Sequence, residues 1–272
     1  MHSFTYDKKR RQVCPLSGGK DSTALAIFLK DKISNLEYVF CDTGSELPET
    51  YEYLDKLEAF LSKKIVRLNS EKNFDYLLKQ HSDYLPSPRA RWCTMEMKIK
   101  SFEKYIGEDL IESYIGIRAD EHRQGYISQK DTILPRYPFK EEGIDLDGVN
   151  KILKESGIGL PKYYDWRARS GCYFCFFQRK IEWVGLLEKH PELFEKAKQY
   201  EKQNYKGDDV VFTWVDGMPL ENVEKNKEKI KRDYKERMKK ALMNQKGKNI
   251  TDVFKDVVND DDQEDACLIC DL

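Results

Sequence analysis

From Arg11 onward, apolar β-rich runs alternate with amphipathic segments, and most runs end in glycine or polar residues. "RQVCPL" (Arg11–Leu16) reads as a buried strand; it runs into Ser17-Gly18-Gly19-Lys20-Asp21-Ser22 and a helix over Asp21–Lys32. Further strands are expected at Leu36–Thr43, Lys64–Asn69 and Ile111–Ala119, and helices at Leu47–Lys63, Asn73–Gln80 and Thr94–Ile106. Alternation at this spacing predicts an α/β fold with a doubly wound, mostly parallel sheet. Ligands of such sheets lie beyond the strand C-termini. That singles out residues 17–22, 41–46 and 118–123.

The first of these loops has a phosphate's chemistry. Gly18 and Gly19 let backbone N–H groups approach an anion and tolerate positive φ. The helix that follows adds its N-terminal dipole and free donors. Lys20 supplies a mobile charge; Ser17 and Ser22 supply hydroxyls. A capped strand–helix turn is the plainer alternative, but the ordered six-residue set favours phosphate. It is not a Walker A loop, because Cys14 and Asp21 stand where that motif needs Gly and Ser or Thr.

Past Asp120 the alternation loosens into expected loops and short helices, with helices again at Glu182–Asn204 and Glu221–Lys248. The division expected is a nucleotide-binding catalytic domain over residues 1–205 and a helical extension over 206–272. With 40% apolar and 35% charged residues among 272, the chain reads as globular. No apolar run approaches a membrane span, and the first residues lack a signal peptide's apolar core, so a cytoplasmic protein is expected. Seven cysteines in a reducing compartment are not a disulfide framework.

Five ordered motifs between Arg11 and Tyr200 carry a resemblance. "SGGKDS" resembles the signature loop of the PP-loop ATP pyrophosphatases. "CDTGSELPET" (Cys41–Thr50), "RARWCTMEMK" (Arg89–Lys98), "GIRADEHR" (Gly116–Arg123) and "GIGLPKYYDWRARSGCYFC" (Gly157–Cys175) resemble the phosphoadenosine phosphosulfate reductase-like branch, which includes DndC-type DNA phosphorothioation proteins. The resemblance implies an adenine nucleotide alpha hydrolase-like, Rossmann-like fold. It also implies an ATP pyrophosphatase that adenylates an acceptor and supports sulfur transfer, to DNA or tRNA. ATP and magnesium are the implied ligands, held by Ser17, Gly18, Gly19, Lys20, Asp21, Ser22, Asp42 and Thr43. Lys20, Asp21, Arg118 and Arg123 are the implied catalytic residues, the arginines clamping phosphate. Reductases of the branch generally carry a degenerate loop, so the complete loop here favours adenylation over thiol-dependent adenylyl-sulfate reduction. A non-catalytic ATP-binding subunit is the third possibility.

Cys93 and the Cys172-x-x-Cys175 pair match the branch's metal-binding positions. The resemblance implies a 4Fe–4S cluster, with zinc as the alternative. Thr94 stands where the fuller pattern has a second cysteine. Cys14 and Cys41 fall in expected strands and read as core. Cys267 and Cys270 lie near the chain's end and read as inert, or as contacts for a sulfur-donor partner such as a cysteine desulfurase.

Lys225 to Lys248 holds 11 Lys or Arg against three acids, a net +8, with Ile230, Tyr234, Met238 and Leu242 at helical spacing. One side packs and the other is basic; nucleic-acid phosphate is the partner that such a face fits, and a solvated helix is the alternative. Residues 251–272 carry a net −7.

Overall fold

A computed structural model describes residues 5–122, 130–203 and 212–244. Strands β1 (Arg11–Leu16), β2 (Glu37–Asp42), β3 (Ile65–Asn69), β4 (Ile111–Tyr114) and β5 (Ile133–Arg136) form one sheet in the order β3-β2-β1-β4-β5. Every pairing is parallel. The helices are α1 (Lys20–Leu29), α2 (Pro48–Leu61), α3 (Phe74–Gln80), α4 (Trp92–Thr94), α5 (Lys100–Ile106), α6 (Pro138–Glu141) and α7 (Leu146–Glu155). They continue with α8 (Lys180–Lys189), α9 (Pro191–Gln203), α10 (Leu220–Lys225) and α11 (Lys227–Asn244).

The sheet is covered on both faces, which is why β1 and β2 read as nearly continuous apolar runs. Leu16, Leu25, Leu29, Phe40, Leu54 and Val149 gather under α1, α2 and α7. On the other face, Val13, Val39, Ile99, Phe102 and Ile111 pack with α5. The strand order reverses between β1 and β4, the position where such sheets bind ligands. The β1–β4 ladder ends at Val13–Ser113, while β1 follows β2 on to Leu16–Phe40. Pro15 lies beyond the last β4 pair, so its missing N–H leaves no bond to β4 unmade.

A second core is aromatic and gathers distant segments. Phe74, Trp92, Phe174, Trp183, Tyr200 and Trp214 share it with Leu220, Val223 and Ile230. Phe74 and Phe174 lie 4.2 Å apart, and Phe174 stacks on Trp214 at 5.3 Å. The Glu201 carboxylate joins α9 to the last described segment, accepting from the Trp214 and Leu220 N–H groups at 2.9 and 2.7 Å.

Four expectations need correction. The fourth strand stops at Tyr114 instead of Ala119, because the chain then crosses the start of α1: a Cβ on Gly116 would lie 3.2 Å from the Asp21 backbone. β5 was expected to be loop; its four residues include Pro135 and show no alternation, and only pairing with β4 makes them a strand. The helix expected over Glu182–Asn204 is split at His190 because Pro191 has no N–H to continue it. The helix expected over Glu221–Lys248 breaks at Asn226 into α10 and α11, and residues 245–248 lie outside the described residues. In addition, the Thr94–Ile106 helix contains a π-helical turn at Met95–Ile99.

Candidate nucleotide-binding site

The loop after β1 is built from short-range bonds and then covered by a distant segment. Ser17 and Ser22 bond each other, Oγ to Oγ at 3.0 Å, and the Ser17 N–H donates to Ser22 Oγ at 3.1 Å. Gly18 sits at φ +73°, and a Cβ there would lie 2.7 Å from Thr50 Cγ2, so only glycine fits. Gly19 is the N-cap of α1 and offers no side chain to its free amides. A Cβ on Gly19 would meet Ser170 Oγ at 2.9 Å. This is a cradle lined by backbone donors at a helix start, which fits a pyrophosphate.

Lys20, Asp21 and Arg118 form a mostly buried ionic chain at this loop. Lys20 Nζ lies 2.8 Å from Asp21 Oδ2, and Arg118 Nη1 lies 2.9 Å from Asp21 Oδ1. Arg118 also reaches Asp120 at 3.0 Å and Glu121 at 2.7 Å. Burial lowers the Lys20 ammonium, but Tyr164 and Asp21 outweigh it and hold it above its ordinary value. Burial raises the Asp21 carboxyl; Lys20 and Arg118 outweigh that and hold it below its ordinary value. Asp21 thus stays ionised and fixes both cations, and Glu121 shares the positioning of Arg118 with two aspartates. Arg123 lies outside the described residues.

The segment from Lys162 to Cys175 closes over the cradle. The Tyr163 hydroxyl donates to Gly18 O at 2.7 Å, and the Tyr164 hydroxyl accepts from the Lys20 N–H at 3.2 Å. Tyr164 therefore stands where an anion would meet the first amide of α1. Buried Arg167 holds the next turn, donating to Gly171 O at 3.0 Å and Cys172 O at 2.9 Å. Tyr173 N–H donates to Ser45 O at 2.8 Å, which ties the segment to the loop after β2. In that loop, Asp42 Oδ1 accepts from Gly44 N–H at 2.8 Å and from the Tyr51 hydroxyl at 2.7 Å. Thr43 Oγ1 lies 3.1 Å from Glu46 Oε1 and 3.2 Å from Cys172 Sγ. Glu46 is 6% exposed and its Oε2 has no hydrogen-bond partner among the described residues.

The structure thus brings Ser17–Ser22, Arg118, Thr43 and Cys172 to one edge of the sheet. Tyr163, Tyr164, Arg167 and Ser170 are members that sequence reasoning missed, while Glu46 falls in the 41–46 loop that it singled out. Tyr163, Tyr164, Arg167 and Ser170 all stand in the quoted "KYYDWRARSGC", but nothing in that string says which loop it covers.

Cys93, Cys172 and Cys175, the residues expected to hold a metal, are all partly buried. Cys93 and Cys172 border the aromatic core, and Tyr173 and Phe174, between Cys172 and Cys175, are buried in it. Among the described residues, no group of three or more His, Cys, Asp or Glu is placed to hold a metal ion. Burial pushes the Cys172 thiol well above its ordinary value, and Glu46 adds to the shift. A cluster or zinc ion held here would need Cys93, Cys172 and Cys175 as thiolates. Magnesium in phosphate sites is held largely by the substrate's own oxygens. Cys14 and Cys41 are buried in the sheet as expected, and burial pushes the Cys41 thiol up to about 11. Cys267 and Cys270 lie outside the described residues.

Residues 11–130 match the family model of the phosphoadenosine phosphosulfate reductase domain. That stretch of the chain is similar to the domain. Its PP-loop resemblance therefore falls in the phosphoadenosine phosphosulfate reductase branch. An uncharacterized protein of Methanocaldococcus jannaschii is 30% identical over 207 residues, covering 71% of this chain and 42% of that protein. The tRNA-specific 2-thiouridylase of Pasteurella multocida is 28% identical over 123 residues, 40% of this chain and 32% of that enzyme. The chain spans less than half the length of either relative. Among solved structures, the phosphoadenylyl-sulfate reductase of Candida auris in its phosphate complex superposes with a TM-score of 0.49 at 15% identity, over 62% of this chain and 82% of that one. Among the described residues, no helix is long and apolar enough to cross a membrane.

Proposed function

We propose that the chain is an ATP pyrophosphatase that adenylates an acceptor oxygen and supports its replacement by sulfur. The observation that carries this reading is the complete Ser17–Ser22 cradle at the sheet's switch point, with buried Lys20 fixed beside it. In the first step, an acceptor hydroxyl or enolised carbonyl attacks the α-phosphorus of ATP, forming acceptor–AMP and releasing pyrophosphate. In the second, sulfide displaces AMP, or the outer sulfur of a persulfide does so and a second donor thiol then cleaves the S–S bond, leaving sulfur on the acceptor and a disulfide on the donor. Lys20 and the loop amides stabilise the charge that grows on the leaving pyrophosphate. Arg118, held by its three carboxylates, presents a fixed guanidinium to nucleotide or acceptor phosphate, with Arg123 as its proposed companion. Asp42 and Thr43 orient the nucleotide. Cys172, beside Thr43, lies at the side from which sulfur reaches the loop, supplied by a donor such as a cysteine desulfurase. Similarity to a tRNA 2-thiouridylase supports the sulfur-transfer reading.

The test is product analysis with ATP, magnesium, sulfide and bulk tRNA. AMP and pyrophosphate are expected in equal amounts, and Lys20→Ala is expected to slow their release about 100- to 1,000-fold, the usual effect of removing one charge-stabilising donor. The family match favours a second reading, reduction of an adenylyl sulfate. A reductase releases sulfite from that substrate and forms neither AMP nor pyrophosphate from ATP, so the same products decide between the two.

A further inference from the structure

We infer that the outer face of α11 and the arginines beside the cysteine segment form a docking surface for a stem–loop RNA that carries the acceptor. This rests on the adenylation reading above and adds its substrate class.

The first observation is unneutralised charge. Most cations at the nucleotide loop are paired, and on α10 and α11 Lys225 and Lys231 are paired with Glu221 and Glu188. Lys229, Arg232, Lys239 and Lys240 are exposed and make no ion pair among the described residues. They lie opposite Ile230, which is buried, and Tyr234 and Met238, which are half-buried. Exposed Asp233 and Glu236 interrupt this outer stripe. At about 1.5 Å per residue, Lys229 to Lys240 spans roughly 16 Å, a length that meets several consecutive phosphates.

The second observation is direction. Lys231 pairs with Glu188 near the end of α8, while Tyr234 lies under Arg179, the residue that starts α8, at 6.0 Å. The two helices therefore run antiparallel, and the half of α11 after Tyr234 heads toward the end of α8 that is joined to the cysteine segment. There, Arg91 and Arg169 stand over the Phe177 ring at 5.2 and 5.4 Å. Ser170, next to Arg169, is the residue that closes against Gly19. Arg179 itself is nearly buried and paired with Glu182 at 3.0 Å, so the positive margin beyond α11 is carried by Arg91 and Arg169, next to the nucleotide cradle. A polyanion laid along this margin brings a part of itself to the loop.

RNA is favoured over duplex DNA by the chemistry of the step. A base oxygen can reach an α-phosphorus only when it is out of the stack, and RNA loops offer unstacked bases without a further opening cost. The contacts expected along α11 are to phosphates, which give affinity and register without reading sequence.

The experiment measures binding by fluorescence anisotropy, using the full chain and a labelled stem–loop RNA with uridines in its loop, across a salt series. Wild type is expected to bind with an affinity that falls steeply with salt. The combined Lys229→Glu, Arg232→Glu, Lys239→Glu and Lys240→Glu variant is expected to bind at least tenfold more weakly and with a shallower salt slope. The matching four-site Gln variant should fall between them, and it provides the reading if the Glu variant does not fold. Equal binding by wild type and the Gln variant overturns the proposal, as does no binding by wild type. Equal or tighter binding of a duplex DNA of the same length also overturns it. Binding is read without ATP, so RNA binding by a chain that forms no AMP counts against the adenylation reading alone. AMP formation without RNA binding counts against this surface alone.

Discussion

The nucleotide loop and α11 are both rich in positive charge, and they hold it in opposite ways. Lys20 and Arg118 are mostly buried and bound to carboxylates, with Asp21 between them. The outward cations of α11 stand in water beside few acids. A buried charge costs much to leave unpaired, so the loop's cations have one arrangement and their removal disturbs the fold. A solvated cation contributes little to folding and remains available to an anionic partner. The difference separates charge that shapes a site from charge that recruits to it.

Three substitutions test that contrast. Asp21→Asn leaves Lys20 without its carboxylate and should cost about 3 kcal/mol in urea unfolding. The Asp21 carboxyl is depressed in the folded chain, so its pairing contributes stability that is present above its ordinary value of 3.8 and lost as the pH falls through the depressed value. Asp21→Asn should therefore flatten the acid limb of the stability profile; an unchanged limb would show that the pair does not shape the loop. Gly18→Ala forces a Cβ to within 2.7 Å of Thr50 at φ +73°, and about 1–3 kcal/mol of destabilisation is expected, with weaker ATP binding by calorimetry. Normal binding by a variant of full stability would mean that the loop adjusts freely. At the small end, neutralising Lys229, Arg232, Lys239 and Lys240 with glutamine should leave stability within about 0.5 kcal/mol of wild type. A loss several times larger would place these side chains with the loop's structural charges and erase the contrast.

Much of the sheet was legible because its determinants are local. Arg11–Leu16 is a strand in both readings, since a run buried on both faces needs only an apolar stretch and a glycine stop. The helix over Pro48–Leu61 was marked by Pro48 in its first turn. β5 was missed because its bonds come from β4, and the long helices were overextended where Pro191 and Asn226 end them. At the site, Ser17–Ser22 was legible from residue type and order. Tyr163, Tyr164 and Ser170 were not, because their partners stand about 150 positions away along the chain.

By itself the sequence determined a parallel α/β sheet and a glycine-paired loop after its first strand, because apolar strand runs, helical periodicity and a glycine pair act over a few residues. Only the tertiary structure decided what covers that cradle: the segment ending in Cys172 meets Gly18, Lys20 and Thr43 through contacts between distant parts of the chain. It likewise decided that Cys172 faces Thr43 and Glu46. Spacing along a chain limits which thiols can meet, but burial and packing against neighbours from elsewhere choose their partners.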